Sequence, residues 1–469
     1  MEEKLYFYYT NDLHSNFEQW PRVVTYLNEA RTLRNKHGEL NWTIDIGDHV
    51  DRSHPITEAS MGRANVRLLN DADYDFVTIG NNEGITMSHQ DLYHLYDEAA
   101  FEVTCANLHS TDNIQPPWLR PTVKIETAQG LRIGMIGLTA PFNAFYELLN
   151  WHVSPEFEVL DKYMKDLEQY ADIIIVMSHL GITVDQEIAR RYDAVDAIIG
   201  GHTHHLLRTG EYVNNALITA AGKHCVYIGE VILTWDHKQK RLVKKEAYTT
   251  DITHLEKDAE TDQTLRSMQK KADSLLGETV VQIDRPLDVN WYGSTPIVQE
   301  LANTVMEWTK ADAAMLNNGL LLEGLPVGAV TYKDIHRICP HPINPVVVDL
   351  KGNELIEVVR ASLTKEFTQL ELKGFGFRGK VLGRMMFAGL QVETAFHNNG
   401  EEYVKQVLFQ NGAPIDPDRT YYIATADTFT FGRLLPEVAK SDSKHYFVPE
   451  FLRDLLAQTL RAKFSSNQA

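Results

Sequence analysis

Five short motifs in the first half of the chain combine carboxylate, imidazole and amide side chains in a pattern that favours metal chemistry. They supply Asp12 and His14, then Asp48, then Asn81 and Glu83, then His179, and finally His202 and His204. Each motif follows a short apolar run that is typical of a β-strand. In α/β sheets the loops at the carboxyl ends of the strands converge on one crevice. We therefore predict that these distant side chains meet at one site.

This set of side chains suits a pair of divalent cations. Two cations roughly 3.5–4 Å apart can hold the attacking and leaving oxygens of a phosphoryl transfer. A shared anionic ligand would keep them that close, while imidazoles, an amide and another carboxylate fill the other positions. Imidazole combined with carboxylate favours Mn, Zn, Fe or Co over Ca or Mg. We predict a two-metal site that keeps net positive charge for a phosphate group.

Each of these residues also has a simpler interpretation when it is taken alone. Asp12 could be a turn residue and Asp48 could cap a helix. His179 and His202 could be core histidines that bond to the backbone. The combined spacing of the five motifs favours the metal interpretation over these alternatives.

Composition and charge limit the classes of partner. The chain has 469 residues, 43% of them hydrophobic, and a formal net charge of −19. This charge disfavours broad binding to nucleic acid polymers or to anionic membranes. Two glutamates and a run of only five apolar residues follow Met1, which is typical of neither a signal peptide nor a membrane anchor. With three scattered cysteines, the sequence predicts a cytoplasmic enzyme that acts on a small-molecule phosphate substrate.

The elements that must position the motifs alternate along the first half of the chain. Apolar runs such as Leu5–Tyr9 and Ile173–Met177 alternate with helix-like stretches such as Arg22–Asn35 and Val184–Arg191. This alternation predicts an α/β domain with helices on a largely buried sheet. We expect two packed sheets, and the periodicity also allows one doubly wound sheet.

The character of the sequence changes near residue 251. A highly charged helical stretch comes first, and an amphipathic helix begins after Ser294. The remainder mixes strands with turns rich in Gly and Pro, as expected of an α+β domain. Single cores stop growing at roughly 250–300 residues, so a chain of this length should divide. We predict a catalytic domain over residues 1–255, a linker helix and hinge over 256–293, and a second domain over 294–469.

At the five motifs that contain the candidate metal ligands, the chain resembles the 5′-nucleotidase family of calcineurin-like metallophosphoesterases. Met315–Leu355 and Thr420–Leu434 are similar to segments of that family's C-terminal domain. The resemblance implies a four-layer α/β/β/α metallophosphoesterase domain followed by an α+β, substrate-binding C-terminal domain. It also implies that a metal-activated water hydrolyses the phosphate ester. The implied ligands of one metal ion are Asp12, His14, Asp48 and His204, and those of the other are Asp48, Asn81, His179 and His202.

The resemblance also implies substrate contacts in the second domain. The candidates are the Asn-Gly turn at Asn317 and Gly319 and the rings that could stack on a nucleobase, namely Phe375 or Phe377 and Phe429 or Phe431. Stacking of this kind contributes about 1–3 kcal/mol per base. Ordinary core packing would explain these phenylalanines equally well.

One departure from the family pattern lies in the third motif. The family usually has Gly-Asn-His-Glu, whereas this chain has Asn82 in place of the histidine. The Asn82 amide can donate a hydrogen bond, but it cannot carry positive charge or move a proton. We treat Asn82 as a candidate catalytic residue and His49 as a candidate replacement acid, with His54 and His89 as alternatives.

A second departure lies in the second domain. The family's Asn-Gly-Gly-x-Arg segment supplies an arginine to the substrate, but residues 317–322 contain none.

The leading hypothesis for the function is hydrolysis of phosphate esters of nucleotides or nucleotide derivatives. An alternative is a phosphodiesterase or pyrophosphohydrolase that acts on cyclic nucleotides, dinucleotides or nucleotide sugars. A further alternative is a metal-binding pseudoenzyme that senses nucleotides.

Overall fold

A computed structural model describes residues 2–372, 374, 376–398, 400–432 and 434–465 of the chain. These residues form two compact units, Met1–Ala272 and Asp273–Ala469. The division falls inside the segment 256–293. The predicted two-domain architecture is confirmed.

The first unit is rich in short strands. In chain order they are β1 (Glu2–Thr10), β2 (Leu40–Asp45), β3 (Phe76–Val77), β4 (Glu102–Thr104), β5 (Leu108–Ser110), β6 (Leu119–Arg120), β7 (Thr122–Glu126), β8 (Arg132–Thr139), β9 (Trp151–Val153), β10 (Ile173–His179), β11 (Ala197–Gly200), β12 (Glu211–Val213), β13 (Ala216–Thr219), β14 (Tyr227–Asp236) and β15 (Arg241–Asp251).

Most of these strands belong to two mixed sheets. The first has the order β15-β14-β1-β2-β3-β4-β6, and the second has the order β12-β13-β11-β10-β8-β7. In the first sheet β1, β2, β3, β4 and β6 are parallel, and in the second β8, β10, β11 and β13 are parallel. Parallel strands bring their carboxyl ends to the same edge of a sheet, which is where the candidate ligands occur.

The helices accompany these strands along the chain. They are α1 (Trp20–His37), α2 (Pro55–Ser60), α3 (Arg63–Asp71), α4 (Asn81–Ile85), α5 (His89–Tyr93), α6 (Asn143–Tyr146), α7 (Glu156–Tyr170), α8 (Ile182–Arg191) and α9 (Ala259–Leu275), the last of which spans the division between the units. In the described part of the chain, every helix is too short or too polar to cross a bilayer.

The two sheets pack face to face and are covered by helices on their outer faces. One core cluster joins Phe7 of β1 to Met135 of β8, so it fills the space between the sheets. A second cluster joins Ile136 of β8 to Leu160 of α7, on the opposite face of the second sheet. Helix α1 covers the outer face of the first sheet, where the Tyr26 ring contacts Tyr8 of β1. The predicted α/β/β/α layering is confirmed.

The second unit is built around a five-stranded sheet with the order β20-β17-β23-β19-β24. Helix α10 packs on β17 and on the C-terminal helix α15. A mostly antiparallel sheet with helices packed against it is the α+β arrangement that the sequence predicts. Its elements are β16 (Thr279–Ile283), α10 (Pro296–Thr309), β17 (Ala313–Asn317), β18 (Gly328–Thr331), α11 (Tyr332–Ile338), β19 (Pro345–Lys351), α12 (Gly352–Ser362), α13 (Lys365–Thr368), β20 (Met385–Ala388), β21 (Leu390–Phe396), β22 (Glu402–Phe409), β23 (Thr420–Ala426), α14 (Pro436–Lys440), β24 (Lys444–Tyr446) and α15 (Leu452–Lys463).

Gly137 of β8 lies where the two sheets of the first unit come close together. A Cβ atom at this position would overlap the carbonyl oxygen of Thr104 in β4 and lie 2.6 Å from Thr78 Oγ1. We expect Gly137→Ala to lower the free energy of unfolding by roughly 1–3 kcal/mol, because overpacking displaces one sheet from the other. Urea denaturation followed by circular dichroism measures this change.

Gly134→Ala on the same strand is the matched control. Its Cβ would meet the movable end of the Leu167 side chain at 2.8 Å rather than backbone. We expect a smaller loss for this variant. Equal losses for the two variants would contradict the importance of the close approach at Gly137.

Candidate metal centre

The candidate ligands lie at the carboxyl ends of five parallel strands. Asp12 and His14 follow β1, Asp48 follows β2, and Asn81 begins α4 just after β3. His179 is the last residue of β10. The segment that holds His202 and His204 follows β11. Two neighbouring sheets therefore contribute ligands to one edge of the first unit.

Two aspartates lie at the centre of this group. Asp48 Oδ1 is 3.4 Å from His179 Nε2, and Asp48 Oδ2 is 3.7 Å from His14 Nε2. Asp12 Oδ1 is 3.3 Å from His204 Nε2 and 4.0 Å from His179 Nε2. The two oxygens of Asp48 thus point to different imidazoles, an arrangement that suits a carboxylate placed between two cations.

The remaining candidate ligands close the group. His202 Nδ1 is 2.9 Å from Asn81 Oδ1, and the ring centroids of His202 and His179 are 5.3 Å apart. The backbone N–H of His202 donates to Asp12 Oδ2 at 3.0 Å. The structure therefore brings all seven sequence-predicted metal ligands together.

The backbone of these loops is held in an uncommon conformation. Non-glycine residues rarely adopt the left-handed region, and such residues cluster at functional sites. Five of the seven candidate ligands have φ between 49° and 71°, namely Asp12, His14, Asp48, His202 and His204. Backbone hydrogen bonds join the loops, from Asp12 N to Gly47 O at 3.0 Å and from His14 N to Asp48 O at 2.8 Å. The fold thus stabilises strained loops that aim side chains at one point.

Glu83 holds the Asp48 loop against α4. Its carboxylate accepts hydrogen bonds from the backbone N–H groups of Asp48, Val50 and Gly80, at 2.9 to 3.0 Å. The side chain is fully buried. The sequence suggests Glu83 as one of the metal-capable residues, but the structure uses its oxygens to fix the loop that carries Asp48.

The charges and donors of the group fit a pair of divalent cations. His179 Nδ1 donates to the carbonyl oxygen of Ile46 at 2.7 Å, so in the neutral ring Nε2 carries the lone pair that faces the two aspartates. Within the described residues, this buried Nε2 has no hydrogen-bond partner. A lone pair that faces carboxylates is repulsive unless a proton or a metal ion lies between them. Imidazole, carboxylate and amide donors together suit transition metals.

The pKa shifts of His179 and Asp48 also indicate that positive charge is favoured at this site. Burial alone lowers the pKa of His179, but the carboxylates of Asp48 and Asp12 raise it to about 10. Burial alone raises the pKa of Asp48, but the imidazoles of His179 and His14 hold it well below its usual range. Ionised Asp48 and positive charge on the neighbouring imidazoles therefore stabilise each other.

Asn82 lies directly against the candidate ligands. Its side-chain amide nitrogen is 2.8 Å from His14 Nδ1, and its backbone N–H donates to Asp48 Oδ1 at 2.8 Å. Asp51, which sequence reasoning missed, is buried with Oδ2 3.7 Å from the same His14 nitrogen. Its position three residues after Asp48, in the same loop, was the available signal. Both residues can orient the His14 ring.

The structure does not support the assignment of His49 as a replacement acid. Its side chain is only 2% exposed, and its ring packs edge-on against Trp20 with centroids 5.0 Å apart. Its Nδ1 lies 3.2 Å from the Asn65 amide nitrogen. Burial lowers the pKa of His49 to about 3, so the ring stays neutral. Although His49 follows Asp48 directly in sequence, its side chain is part of the core.

Two of the predicted base-stacking rings are also core residues. Phe377 is 2% exposed and stacks in parallel on His341, with centroids 5.0 Å apart. Phe429 is fully buried and lies against Phe367. In this conformation neither ring has a face for a nucleobase, so core packing is the better interpretation of both.

The other predicted substrate-binding residues are a pair that fixes a turn, Asn317 and Gly319, and two further phenylalanines. Asn317 is buried and donates through its side chain to the carbonyl oxygen of Leu382 at 2.6 Å, while the Gly319 N–H donates to the same carbonyl at 2.8 Å. These bonds fix the turn that contains both residues. Phe431 is partly exposed, and its contact with a base stays a prediction. Phe375 lies outside the described residues.

The layered fold and the gathered ligands define a class of enzyme, and comparison with known families agrees. Residues 5–206 match the family described as Calcineurin-like phosphoesterase, and residues 275–433 match that described as 5′-nucleotidase, C-terminal domain. The chain belongs to the 5′-nucleotidase family of calcineurin-like metallophosphoesterases, as its motifs predict. It is a metal-dependent phosphoester hydrolase of a family that uses two divalent metal ions.

Individual relatives extend this result over the whole chain. The chain is 40% identical over 461 residues to YunD of Bacillus subtilis (strain 168), described as an uncharacterized metallophosphoesterase, and the match covers 98% of this chain and 100% of YunD. The fold is similar to that of a putative 5′-nucleotidase from Staphylococcus aureus, with a TM-score of 0.71, 18% identity and coverage of 99% of this chain and 98% of that one. It is also similar to the fold of the Haemophilus influenzae NAD nucleotidase NadN, with a TM-score of 0.67, 16% identity and coverage of 99% and 97%.

Asp48 provides the sharpest test of the ligand group. We expect the wild-type protein to bind two Mn²⁺ ions per chain and Asp48→Asn to bind at most one with comparable affinity, because a neutral amide cannot hold two cations together. The loss of affinity should exceed the roughly 10–100-fold that changes in supporting residues cause. Isothermal titration calorimetry with Mn²⁺ measures both stoichiometry and affinity.

His205→Ala is the matched control, because His205 lies next to His204 in sequence but is exposed and contacts Thr203 Oγ1 at 2.9 Å. This variant should bind two ions as the wild type does. A stoichiometry of two for Asp48→Asn, or a loss for His205→Ala, would contradict the assignment.

Proposed function

We propose that this protein hydrolyses phosphate monoesters of nucleotides or nucleotide derivatives. The observation that supports the reaction most strongly is that seven metal-capable side chains, Asp12 and Asp48 among them, gather in one group. The match of residues 275–433 to the 5′-nucleotidase C-terminal domain supports a nucleotide as the substrate. The alternatives, a diesterase and a nucleotide-sensing pseudoenzyme, have less support from this match.

Different side chains of the site would hold the cations and bind the substrate. Bound divalent cations supply a water of lowered pKa and positive charge for the phosphate oxygens. Asp48, with one oxygen toward His14 and the other toward His179, is suited to hold both ions. The remaining candidate ligands would complete the two coordination spheres, as the family resemblance implies.

Asn82 is suited to bind the phosphate but not to protonate a leaving group. If His14 bound a cation through Nε2, its Nδ1 would carry a proton, which the Asn82 carbonyl oxygen or Asp51 Oδ2 could accept. With its carbonyl oxygen toward Nδ1, Asn82 would offer both amide hydrogens to phosphate oxygens. An amide is too weak an acid to transfer a proton, and general acid catalysis typically contributes about 10²–10⁴-fold. The chain should therefore depend more on the leaving group than an enzyme with histidine at this position.

A substrate comparison tests the proposal. We expect the Mn²⁺-loaded protein to hydrolyse AMP with a higher kcat/KM than bis-p-nitrophenyl phosphate, because the C-terminal domain matches that of nucleotide monoesterases. Steady-state assays of phosphate and p-nitrophenol release measure the two rates. A clear preference for the diester would favour the phosphodiesterase alternative, and no turnover of either substrate would favour the pseudoenzyme.

Asn82→His adds a second arm to this test. The variant should raise the rate on AMP by roughly 10²-fold, because the imidazole restores an acid beside the poor alkoxide leaving group. The rate on p-nitrophenyl phosphate should change little, because its leaving group needs little protonation. Equal effects on the two monoesters would contradict the role that we assign to Asn82.

A further inference from the structure

A partly exposed aromatic ring borders the metal centre within the first unit. Phe142 lies three residues beyond the end of β8, which is parallel to the neighbouring strand β10. The loop after β8 thus emerges at the same edge as His179. The ring centroid of Phe142 is 5.8 Å from that of His202, with an interplanar angle of 63°. Phe142 therefore contacts a candidate metal ligand directly, although no charge or metal-binding group draws attention to it in the sequence.

The segment that carries Phe142 is firmly held. The side chain of Asn143 makes two hydrogen bonds to the backbone of Val153, both at 2.8 Å. Tyr146 at the end of α6 is fully buried, and a Cβ atom on Gly84 would overlap its hydroxyl group. Gly84 belongs to α4, the helix that begins with Asn81 and Asn82. Phe142 thus has a fixed position relative to the candidate ligands.

Orientation of His202 does not require this phenylalanine. Asn81 already fixes the ring through Nδ1, and Asp12 fixes the backbone N–H. Packing of His202 therefore does not by itself explain an apolar ring that remains partly in water, where its exposure is unfavourable. A ring in this position can instead contact whatever is bonded to a phosphate held at the metal centre.

We propose that Phe142 forms an apolar contact with the organic group of the substrate, next to the phosphate. The proposal rests on the proposed function only in requiring that a phosphate ester binds at the metal centre. It assigns to the first unit a determinant of substrate specificity that favours esters with an apolar or aromatic face close to phosphorus. Phe142 would act through van der Waals and stacking contacts, and no proton transfer is involved.

Binding of two non-hydrolysable phosphonates to the Mn²⁺-loaded full chain tests this proposal. Phenylphosphonate offers a ring next to phosphorus, and methylphosphonate offers only a methyl group. We expect Phe142→Ala to weaken phenylphosphonate binding by roughly fivefold or more, the lower end of the range for stacking on an aromatic side chain. Methylphosphonate binding and Mn²⁺ affinity should stay unchanged. Isothermal titration calorimetry measures all three affinities.

Companion variants separate contact from folding and from positioning. Phe142→Tyr keeps the ring and should bind phenylphosphonate as the wild type does. Leu148→Ala removes an exposed apolar side chain soon after the same helix and should change none of the affinities. Thermal melts followed by circular dichroism check that each variant folds, and Phe142→Leu replaces the alanine variant if that one does not.

Each other outcome overturns the proposal. Equal losses for both phosphonates, or weaker Mn²⁺ binding in Phe142→Ala, would make Phe142 a positioning residue for His202. Unchanged phenylphosphonate binding would show that the ring does not contact the ligand. Because phosphonate binding requires no turnover, a protein that fails to hydrolyse AMP but shows the selective loss would refute the proposed function and leave this proposal intact.

Discussion

The close approach of two buried carboxylates, Asp12 and Asp48, is the constraint on which the first unit depends. Like charges in a water-poor site repel strongly and remain ionised only when positive charge lies beside them. Imidazole nitrogens of His14, His179 and His204 lie 3.3 to 4.0 Å from carboxylate oxygens of this pair. Divalent cations between these groups would satisfy the carboxylates and the imidazole lone pairs together. The same cations give a protein of net charge −19 a local positive centre for phosphate.

The architecture of the unit follows from the need to gather these groups. Parallel strands from two packed sheets end at one edge, so each sheet contributes part of the ligand set. The loops that follow them adopt strained left-handed conformations, and Glu83 fixes the Asp48 loop through three backbone N–H groups. Such strain persists only where the surrounding structure determines it. The large core between the sheets, which includes Phe7 and Met135, stabilises the frame that holds the loops in place.

The ligands could be predicted from the sequence because the ends of strands are recognisable and the carboxyl ends of parallel strands lie at one edge of a sheet. Asp48 and His179 each follow an apolar run. The parallel arrangement of the strands then brings these two side chains to the same edge. The direction of a side chain within a loop has no such signal. His49 follows Asp48 immediately yet packs against Trp20, and Phe377 stacks on His341 in the core. Phe142 also follows a strand, but its role depends on a contact that only the folded chain reveals.

Anomalous diffraction from crystals of the Mn²⁺-loaded protein tests the central claim most directly. The account predicts two manganese ions roughly 3.5–4 Å apart, with Asp48 bound to both. It also predicts His179 and His202 on one ion and His14 and His204 on the other. A single ion, or two ions that Asp48 does not bridge, would contradict it.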